Sequence, residues 1–305
     1  MPDRISVRVP ATSANVGCLF DCGALALGLY LDVYVTPRTD DEITVNYRGA
    51  TPERIATDAT NLIARTIVEV LRAWGVQRGF DLAIDNQIPV GVGLGSSAAA
   101  IVAALSVAHW LADHTLFDEE LVSLGAYLEG HPDNVAAAWE GGFALAMQVG
   151  DRVKAHSCPV PDSVQFAVVV PDYALPTEQA RAVLPPQYSR PDAIHNLQRA
   201  AAVAAQFFSG RADFHPALFD DRWHQSYRAS LMPGLAEALR FSHPEVLGVC
   251  LSGAGPSVLA LVRSNALEVS EAIRQLLAAH GVQSRPFALA ADNRGAKGWS
   301  RPCCG

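Results

Sequence analysis

Apolar and polar residues alternate along much of the first third of the chain, which is the period of a β-strand with one buried face. This pattern predicts strands at residues 5–9, 30–35, 42–47 and 80–89. Between the last two, residues 60–74 change to helical spacing, with apolar side chains three or four positions apart. The chain therefore begins with a β-rich region that contains one amphipathic helix.

The remainder of the chain alternates between helical and strand-like segments. Helical spacing predicts helices at 97–112, 118–129, 177–184, 192–208, 233–241 and 267–280. Strands are predicted at 141–149 and 164–170, and in two apolar runs of VLGVCLSGAGPSVLALV (246–262) that a glycine-rich turn joins. Such alternation is typical of α+β or α/β proteins and not of helix bundles or sandwiches. The polar, turn-rich stretch 150–163 predicts a domain boundary, which divides the chain into 1–155 and 156–305.

Composition places the chain among ordinary globular proteins, since 50% of its 305 residues are hydrophobic and 18% are charged. A net charge of −8 argues against a broad surface for nucleic acids, so an anionic substrate needs a locally arranged basic site. The longest apolar run, 98–112, is interrupted by Ser106 and His109 and is too short to span a bilayer. The start of the chain lacks the apolar core of a signal peptide, and the six cysteines form no pair of CxxC motifs. We therefore expect a reduced, cytoplasmic protein without membrane contact or structural zinc.

The stretch PVGVGLGSSAAAIVAAL (89–105) combines alternating glycines with the start of a helix. Glycines let backbone N–H groups approach a ligand, and the positive N-terminal end of a helix attracts phosphate. Ser96 and Ser97 add hydroxyl groups for phosphate oxygens or a metal ion. A serine in this position also serves as a helix N-cap without any ligand. The stretch alone therefore leaves a phosphate site and a cap as alternatives.

Familiar nucleotide and hydrolase motifs do not match this stretch. A Walker motif needs GxxxxGK followed by Ser or Thr, and no lysine is present here. Gly91, Gly93 and Gly95 form GxGxG, which differs from the GxGxxG of dinucleotide-binding proteins. The motif set of protein kinases and the GxSxG of serine hydrolases are absent from the sequence. Any phosphate site here is of another kind.

Two further stretches indicate which kind of phosphate site this is. They are VPATSANVGCLFDCGALAL (9–27) and LSGAGPSVLAL (251–261). Together with the glycine-rich stretch they resemble the three signature motifs of the GHMP small-molecule kinases. TSANVG with the following FD, and EGHPDNVAAA (129–138), resemble the homoserine kinases within that family. Mevalonate kinases carry a lysine in the first motif, and residues 9–27 contain none. The resemblance covers nearly the whole chain, with the motifs in the family's order.

The resemblance implies an α+β fold with two domains. The N-terminal domain of this family contains a left-handed β-α-β crossover, against the usual right-handed rule, and a ferredoxin-like C-terminal domain packs beside it. ATP lies between them with its phosphates over the second motif, while the third motif supports the phosphate loop and lines the substrate cleft. Family members often form dimers, so the resemblance is compatible with a homodimer.

The resemblance also implies a site for L-homoserine, which carries a carboxylate, an ammonium group and a hydroxyl. Asp21 matches the partner of the ammonium group, and Arg181 and Arg228 match the carboxylate-binding arginines, whose forked geometry suits carboxylates. The residues matched to the substrate and its hydroxyl are Asn15, His131, Asn134 and Thr177. Of these, Asn15 and Asn134 are expected to act in catalysis.

For ATP, the resemblance implies contacts from Asn61 near the adenine and from the phosphate loop, namely Pro89, Val90, Gly91, Val92, Gly93, Leu94, Gly95, Ser96, Ser97, Ala98 and Ala99. Ser97 and Glu129 match the ligands of Mg²⁺, which prefers oxygen donors and keeps several waters. Asp133 matches the position of the catalytic aspartate of mevalonate kinases, whereas the resemblance to homoserine kinases implies no dedicated base. A loose phosphoryl-transfer transition state permits this, so we expect Asp133 to assist catalysis without being an essential base.

The resemblance thus implies a kinase that uses MgATP to phosphorylate the hydroxyl of L-homoserine, forming O-phospho-L-homoserine for threonine biosynthesis. Two alternatives stay open: a GHMP kinase for another small alcohol, and a catalytically silent family member that senses a ligand. Retention of Ser97, Glu129 and both arginines argues against the silent alternative, because a sensor need not keep metal ligands.

Overall fold

The computed structural model describes residues 4–211 and 213–299, together with the backbone of residues 301–303. The first half of the chain forms β1 (Arg4–Asn15), β2 (Leu19–Pro37), β3 (Ile43–Gly49), α1 (Leu62–Ala73), β4 (Phe80–Asn86), α2 (Ser96–Ala112), α3 (Asp118–Glu129), α4 (Asp133–Glu140), β5 (Phe143–Val149) and β6 (Arg152–Cys158). The second half forms β7 (Gln165–Pro171), α5 (Thr177–Ala182), α6 (Arg190–Phe208), α7 (Gln225–Arg228), α8 (Leu235–Ala238), β8 (Val246–Leu251), β9 (Val258–Val262), α9 (Ala266–Ala279), β10 (Ser284–Leu289), α10 (Gly295–Trp299) and β11 (Arg301–Cys303). None of the helices described is long and apolar enough to cross a membrane.

The strands form two sheets, each with its own topology. The larger sheet has the order β11-β1-β2-β4-β3, and β5 and β6 extend it from β2. Within it β3 and β4 run parallel, with Ile43 opposite Phe80, and α1 connects them as a β-α-β unit. The smaller sheet has the antiparallel order β10-β7-β9-β8, with helices between β7 and β8 and between β9 and β10. That connectivity is the β-α-β-β-α-β ferredoxin-like arrangement, so the predicted α+β architecture is confirmed.

Strand β7 is apolar on both faces, and one of these faces joins the two sheets in a shared hydrophobic core. Phe166, Val168 and Val170 belong to the core cluster that also contains the inner residues of β1 and β2. Ala167 and Val169 point the other way, into a second cluster formed with α8 and α9. A strand buried on both sides has a continuous apolar sequence, as VQFAVVV does.

Helix α2 is the central helix of the structure. Its residues are apolar all round, and those from Ala98 to Ala108 are all buried, as is typical of a helix surrounded by protein. It packs against α1, β1, α3 and α4. This packing fixes the start of α2, and with it the glycine-rich stretch that precedes Ser96.

The predicted domain boundary requires a correction. Residues 152–158 form β6, which pairs with β5 across a turn at Gly150, so a division between residues 155 and 156 would cut a strand. Only Val153 of β6 is buried, which explains why the segment has the polar composition of a linker. We therefore propose the division in the connection 159–164, with α10 and β11 returning to the first sheet at the end of the chain.

Candidate functional site

The glycine-rich stretch forms a tight loop directly before α2. Gly91, Gly93 and Gly95 have positive φ angles of 75°, 83° and 67°. Residues other than glycine rarely adopt this left-handed region of backbone conformation. Gly95 occupies the N-cap position, and no side chain caps the helix. The N-cap alternative for the serines is therefore wrong, because Ser96 lies inside the helix and its first N–H groups keep no side-chain partner. This arrangement is suited to an anion.

The third motif (251–261) forms hydrogen bonds with this loop and with the first motif. Ser252 Oγ donates to the carbonyl oxygen of Gly93 at 2.7 Å and lies 2.8 Å from Ser13 Oγ. The backbone N–H of Gly253 donates to Ala14 O at 3.0 Å. The three motifs, distant in sequence, thus meet through short hydrogen bonds at one point of the fold.

We expect Gly93→Ala to destabilise the protein by about 2–4 kcal/mol, from backbone strain and a steric clash. A Cβ at Gly93 would lie 2.2 Å from the carbonyl oxygen of Ser252. Gly75→Ala is the matched control, because Gly75 has a φ of 74° but no atom within 4 Å of its added Cβ, so only about 1 kcal/mol of strain is expected. Urea unfolding measures both, and equal losses would contradict the contact with Ser252.

An ion pair lies at the other end of the cleft. Arg181 donates from Nη1 and Nη2 to the two carboxylate oxygens of Asp21 at 2.9 and 2.7 Å, a bidentate geometry. Asp21 has a φ of 56° and Asn15 a φ of 72°, both strained for residues other than glycine. Asn15 stabilises this backbone: its Oδ1 accepts from the N–H of Asp21, and its Nδ2 donates to Gly253 O.

Arg228 lies behind this ion pair and is only 1% exposed. Its Nε donates to Ala180 O and its Nη1 to Gly253 O, both at 3.0 Å. Burial, and then the charge of Arg181, lower the pKa of Arg228 to about 10, so it stays cationic at neutral pH. The guanidinium carbons of Arg181 and Arg228 lie 5.6 and 5.5 Å from the ring centroid of Phe20, which forms an aromatic floor beneath both.

The start of α4 contributes a third group of polar side chains. His131 Nδ1 lies 3.3 Å from Asp133 Oδ1, within ion-pair distance but without the alignment of a hydrogen bond. Asp133, which is 2% exposed, raises the pKa of His131. Asn134 Oδ1 accepts from Thr12 Oγ1 at 2.7 Å, which leaves the amide nitrogen of Asn134 available to a ligand.

Two oxygen donors face the glycine-rich loop. Ser97 Oγ donates to Glu129 Oε2 at 2.7 Å, and burial raises the pKa of Glu129. No group of three His, Cys, Asp or Glu side chains that could hold a metal ion occurs in the part of the chain that the structure describes. A pair of hard oxygen donors is nevertheless sufficient for Mg²⁺, which takes its other ligands from water and phosphate.

Most of the predicted residues line a single cleft between these groups. They are Asn15, Asp21, Val90, Gly91, Gly93, Leu94, Gly95, Ser96, Ser97, Glu129, His131, Asp133, Asn134, Thr177, Arg181 and Arg228. The predicted residues outside the lining are Asn61, Pro89, Val92, Ala98 and Ala99. The side chains of Ala98 and Ala99 are fully buried in the core, because they belong to α2.

Asn61, the residue predicted to lie near the adenine, is outside the cleft lining. Its Oδ1 accepts from the N–H of Ile63 at 3.0 Å, and its Nδ2 donates to Ala56 O at 2.8 Å. It is the N-cap of α1 and is 5% exposed. Both ends of its amide thus have protein partners at the start of α1, and a contact with adenine stays a prediction.

Sequence reasoning missed three residues that shape the cleft. Thr12 orients Asn134, Phe20 supports the two arginines, and His224 lies 3.2 Å from Arg228. Thr12 and Phe20 belong to the first motif, and His224 lies four positions before Arg228. Their places in these stretches were the only available signal, since none has a recognisable chemical pattern of its own.

Comparison with known proteins agrees with this geometry. Residues 61–142 match the GHMP kinases N terminal domain, and residues 197–279 match the GHMP kinases C terminal domain. A homoserine kinase of Solibacter usitatus is 41% identical over 95% of both chains, and one of Desulfitobacterium hafniense is 38% identical over 96% of this chain and 99% of its own. A crystal structure of homoserine kinase from Cytophaga hutchinsonii superimposes with a TM-score of 0.85 at 26% identity, covering 97% of each chain. A mevalonate kinase shares the fold, with a TM-score of 0.67 at 16% identity over 94% of this chain and 99% of its own.

Proposed function

Because the chain belongs to the homoserine kinases of the GHMP kinase family, we propose that it transfers the γ-phosphoryl group of ATP to the hydroxyl of L-homoserine. The product is O-phospho-L-homoserine, an intermediate of threonine biosynthesis. The observation that carries this proposal is the Asp21–Arg181 ion pair, which lies with Arg228 in the same cleft as the glycine-rich loop. One end of the cleft suits an amino acid and the other suits phosphate.

The charges at the amino-acid end match a zwitterion. Asp21 supplies one carboxylate for an ammonium group, and Arg181 and Arg228 supply two guanidinium groups for a carboxylate. Since Asp21 and Arg181 already neutralise each other, a ligand with both charges can replace each partner by an equivalent one. A ligand with only one charge leaves either Asp21 or Arg181 unpaired in a half-buried site, which is unfavourable.

The phosphate end supplies neutralisation of charge. Phosphoryl transfer asks for positioning and electrostatic stabilisation more than for covalent chemistry. The N–H groups at the start of α2 bind the phosphates, and Asn134 and His131 orient the hydroxyl. Ser97 and Glu129 would hold Mg²⁺, which neutralises phosphate charge when bound.

Asp133→Asn is expected to lower kcat by only a few-fold, because loss of an essential general base typically costs about 100-fold or more. The substitution keeps an acceptor for the N–H of Asn134, which Asp133 Oδ1 binds at 2.8 Å, so the helix start is preserved. Steady-state kinetics with saturating L-homoserine and MgATP measure the effect. A loss of 100-fold or more would instead make Asp133 the base.

On the acid side of the pH profile, activity is expected to follow the ionisation of the Glu129 carboxyl group. Burial raises the pKa of Glu129, and only the ionised carboxylate binds a cation, so activity should be lost as the pH falls through this raised pKa. The midpoint in kcat/KM for MgATP, which reports the free enzyme, should therefore lie above the ordinary value of about 4.3. The pH profile of Glu129→Gln serves as the control. Because ATP ionises equally with both proteins, a difference between the two midpoints comes from residue 129. An unchanged midpoint in that variant would contradict the assignment.

A panel of alcohols tests the proposed activity against its alternatives. L-Homoserine, L-serine, L-threonine, mevalonate and galactose are each supplied with MgATP, and ADP release is recorded. We expect the highest kcat/KM for L-homoserine. Preference for another alcohol would indicate a different GHMP kinase, and no turnover of any alcohol would favour a ligand-sensing role.

A cytoplasmic location, expected from the cysteine content and the start of the chain, and a homodimer, implied by the family resemblance, belong to the same proposal. The net charge of −8 supports the absence of a nucleic-acid partner. Light scattering after size-exclusion chromatography measures the number of subunits.

A further inference from the structure

We infer that His224 is a positioning residue, which holds the guanidinium group of Arg228 in the orientation that binds the substrate carboxylate. This role rests on the function proposed above, because it acts through the arginine assigned to that carboxylate. His224 makes no contact with the cleft itself: it is fully buried behind Arg228 and does not belong to the cleft lining.

The tautomer of His224 is fixed by the first motif. Its Nε2 lies 2.8 Å from the carbonyl oxygen of Gly17, and a carbonyl oxygen can only accept a hydrogen bond. Nε2 therefore carries the ring proton, and Nδ1 presents a lone pair. Burial lowers the pKa of His224, which keeps the ring neutral and this lone pair free of a proton.

The lone pair on Nδ1 has a partner that can only donate. Arg228 Nη1 lies 3.2 Å from it, and a guanidinium group has no acceptor. The second hydrogen of Nη1 is directed to Gly253 O, and Nε–H to Ala180 O. Three of the five N–H groups are thus held by protein acceptors. Nη2 has no hydrogen-bond partner among the residues that the structure describes, so its two N–H groups are the ones left for a ligand.

His224 is itself held rigidly by the turn that contains it. Asp221 Oδ2 accepts from the backbone N–H groups of His224 and Gln225 at 2.8 and 2.7 Å. The other oxygen, Oδ1, accepts from Asn196 Nδ2 at 2.7 Å. The ring stacks on Phe20 at a centroid distance of 5.3 Å. Because both ring nitrogens and the backbone are fixed, the positions of Gly17 and Phe20 determine where the ring of His224 holds the guanidinium group of Arg228.

Two substitutions separate the ring nitrogens. The amide of asparagine reaches the position of Nδ1 and can accept from Arg228, whereas the amide of glutamine reaches the position of Nε2 and can donate to Gly17 O. We expect His224→Gln, which loses the acceptor for Arg228, to raise the KM for L-homoserine by about 10-fold, as for one lost hydrogen bond to a charged group. His224→Asn is expected to stay within about 3-fold of the wild type. The KM for MgATP should be unchanged in both.

A merely structural role would give a different pattern. Equal increases in the KM for L-homoserine in the two variants, or an unchanged value in His224→Gln, would overturn the inference. Thermal unfolding establishes that the variants are folded. Should His224→Gln not fold, ¹⁵N NMR of the wild-type histidines still tests the inference. An Nε2–H tautomer of His224 is expected, and an Nδ1–H tautomer or a doubly protonated ring would overturn it.

Failure of the proposed activity can be distinguished from failure of this inference. Wild-type protein that does not phosphorylate L-homoserine would remove the proposed function, whatever the variants do. Wild-type protein with normal turnover and the wrong tautomer would remove only the role of His224.

Discussion

Arg181→Gln is expected to lower kcat/KM for L-homoserine by about 100-fold, which corresponds to about 2.7 kcal/mol. The substitution removes the forked cation that we propose binds the substrate carboxylate, and it leaves Asp21 without its bidentate partner. Loss of hydrogen bonds to a charged group typically costs about 1.5–3 kcal/mol, and here the loss arises because the substrate carboxylate would no longer have Arg181 as its partner. The KM for MgATP should change little, because the glycine-rich loop is untouched.

Arg274→Gln provides the matched control for this prediction. Arg274 forms a similarly exposed bidentate pair with Glu271 on α9, outside the cleft lining. Its kcat/KM for L-homoserine should stay within about twofold, since exposed ion pairs contribute little. A loss in Arg274→Gln comparable to that in Arg181→Gln would show a general effect of charge and contradict the assignment of Arg181.

The double variant Asp21→Asn with Arg181→Gln tests whether the two charges act as a pair. Each single variant leaves the other charge unpaired, whereas the double variant does not. The loss in kcat/KM of the double variant should therefore be smaller than the product of the single losses. Multiplicative losses would mean that Asp21 and Arg181 act independently.

Glu129→Gln is the second substitution with a large expected effect, a loss of about 100-fold in kcat at ordinary Mg²⁺ concentrations. Glutamine keeps the size of the side chain and an oxygen for Ser97, but it removes the negative charge that favours a cation. A higher Mg²⁺ concentration for half-maximal activity is expected, and titration of activity with Mg²⁺ measures it. Ser97→Ala should shift the same curve less, because it removes a neutral donor.

Glu120→Gln is the control on the same helix. Glu120 lies at the start of α3, where it accepts from the N–H of Phe117, and it is not part of the cleft lining. Its Mg²⁺ curve should coincide with that of the wild type. An unchanged curve in Glu129→Gln would contradict a metal role for Glu129 and for its partner Ser97.

The elements of the fold were largely predictable from hydrophobic patterning, because most strands and helices bury one regular face. Helix α1 and strand β3 illustrate this, as each lies within one or two residues of its predicted span. Strand β6 was not predicted because only one of its side chains, that of Val153, is buried. The predicted helix at 233–241 is shorter, with α8 restricted to Leu235–Ala238. The sheet order depended on the family resemblance, since patterning gives the faces of strands but not their neighbours.

Most residues that line the cleft were predictable, but their interactions with each other were not. Asp21 and Arg181 are 160 positions apart, so only the resemblance brought them to one site, and nothing in the sequence indicated that they would pair with each other. Asn61 shows a different limit, because a polar residue before a helix has the same sequence signal whether it caps the helix or binds a nucleotide. His224 was not singled out because its role depends on which ring nitrogen faces Gly17.

Detection of the product tests the central claim most directly. Purified protein is incubated with MgATP and L-homoserine, and ³¹P NMR follows the phosphorylated species over time. We expect a phosphomonoester resonance that coincides with authentic O-phospho-L-homoserine and grows in equal amount to ADP. ATP that stays intact in the presence of L-homoserine, or ADP formed with inorganic phosphate in place of the ester, would contradict the account.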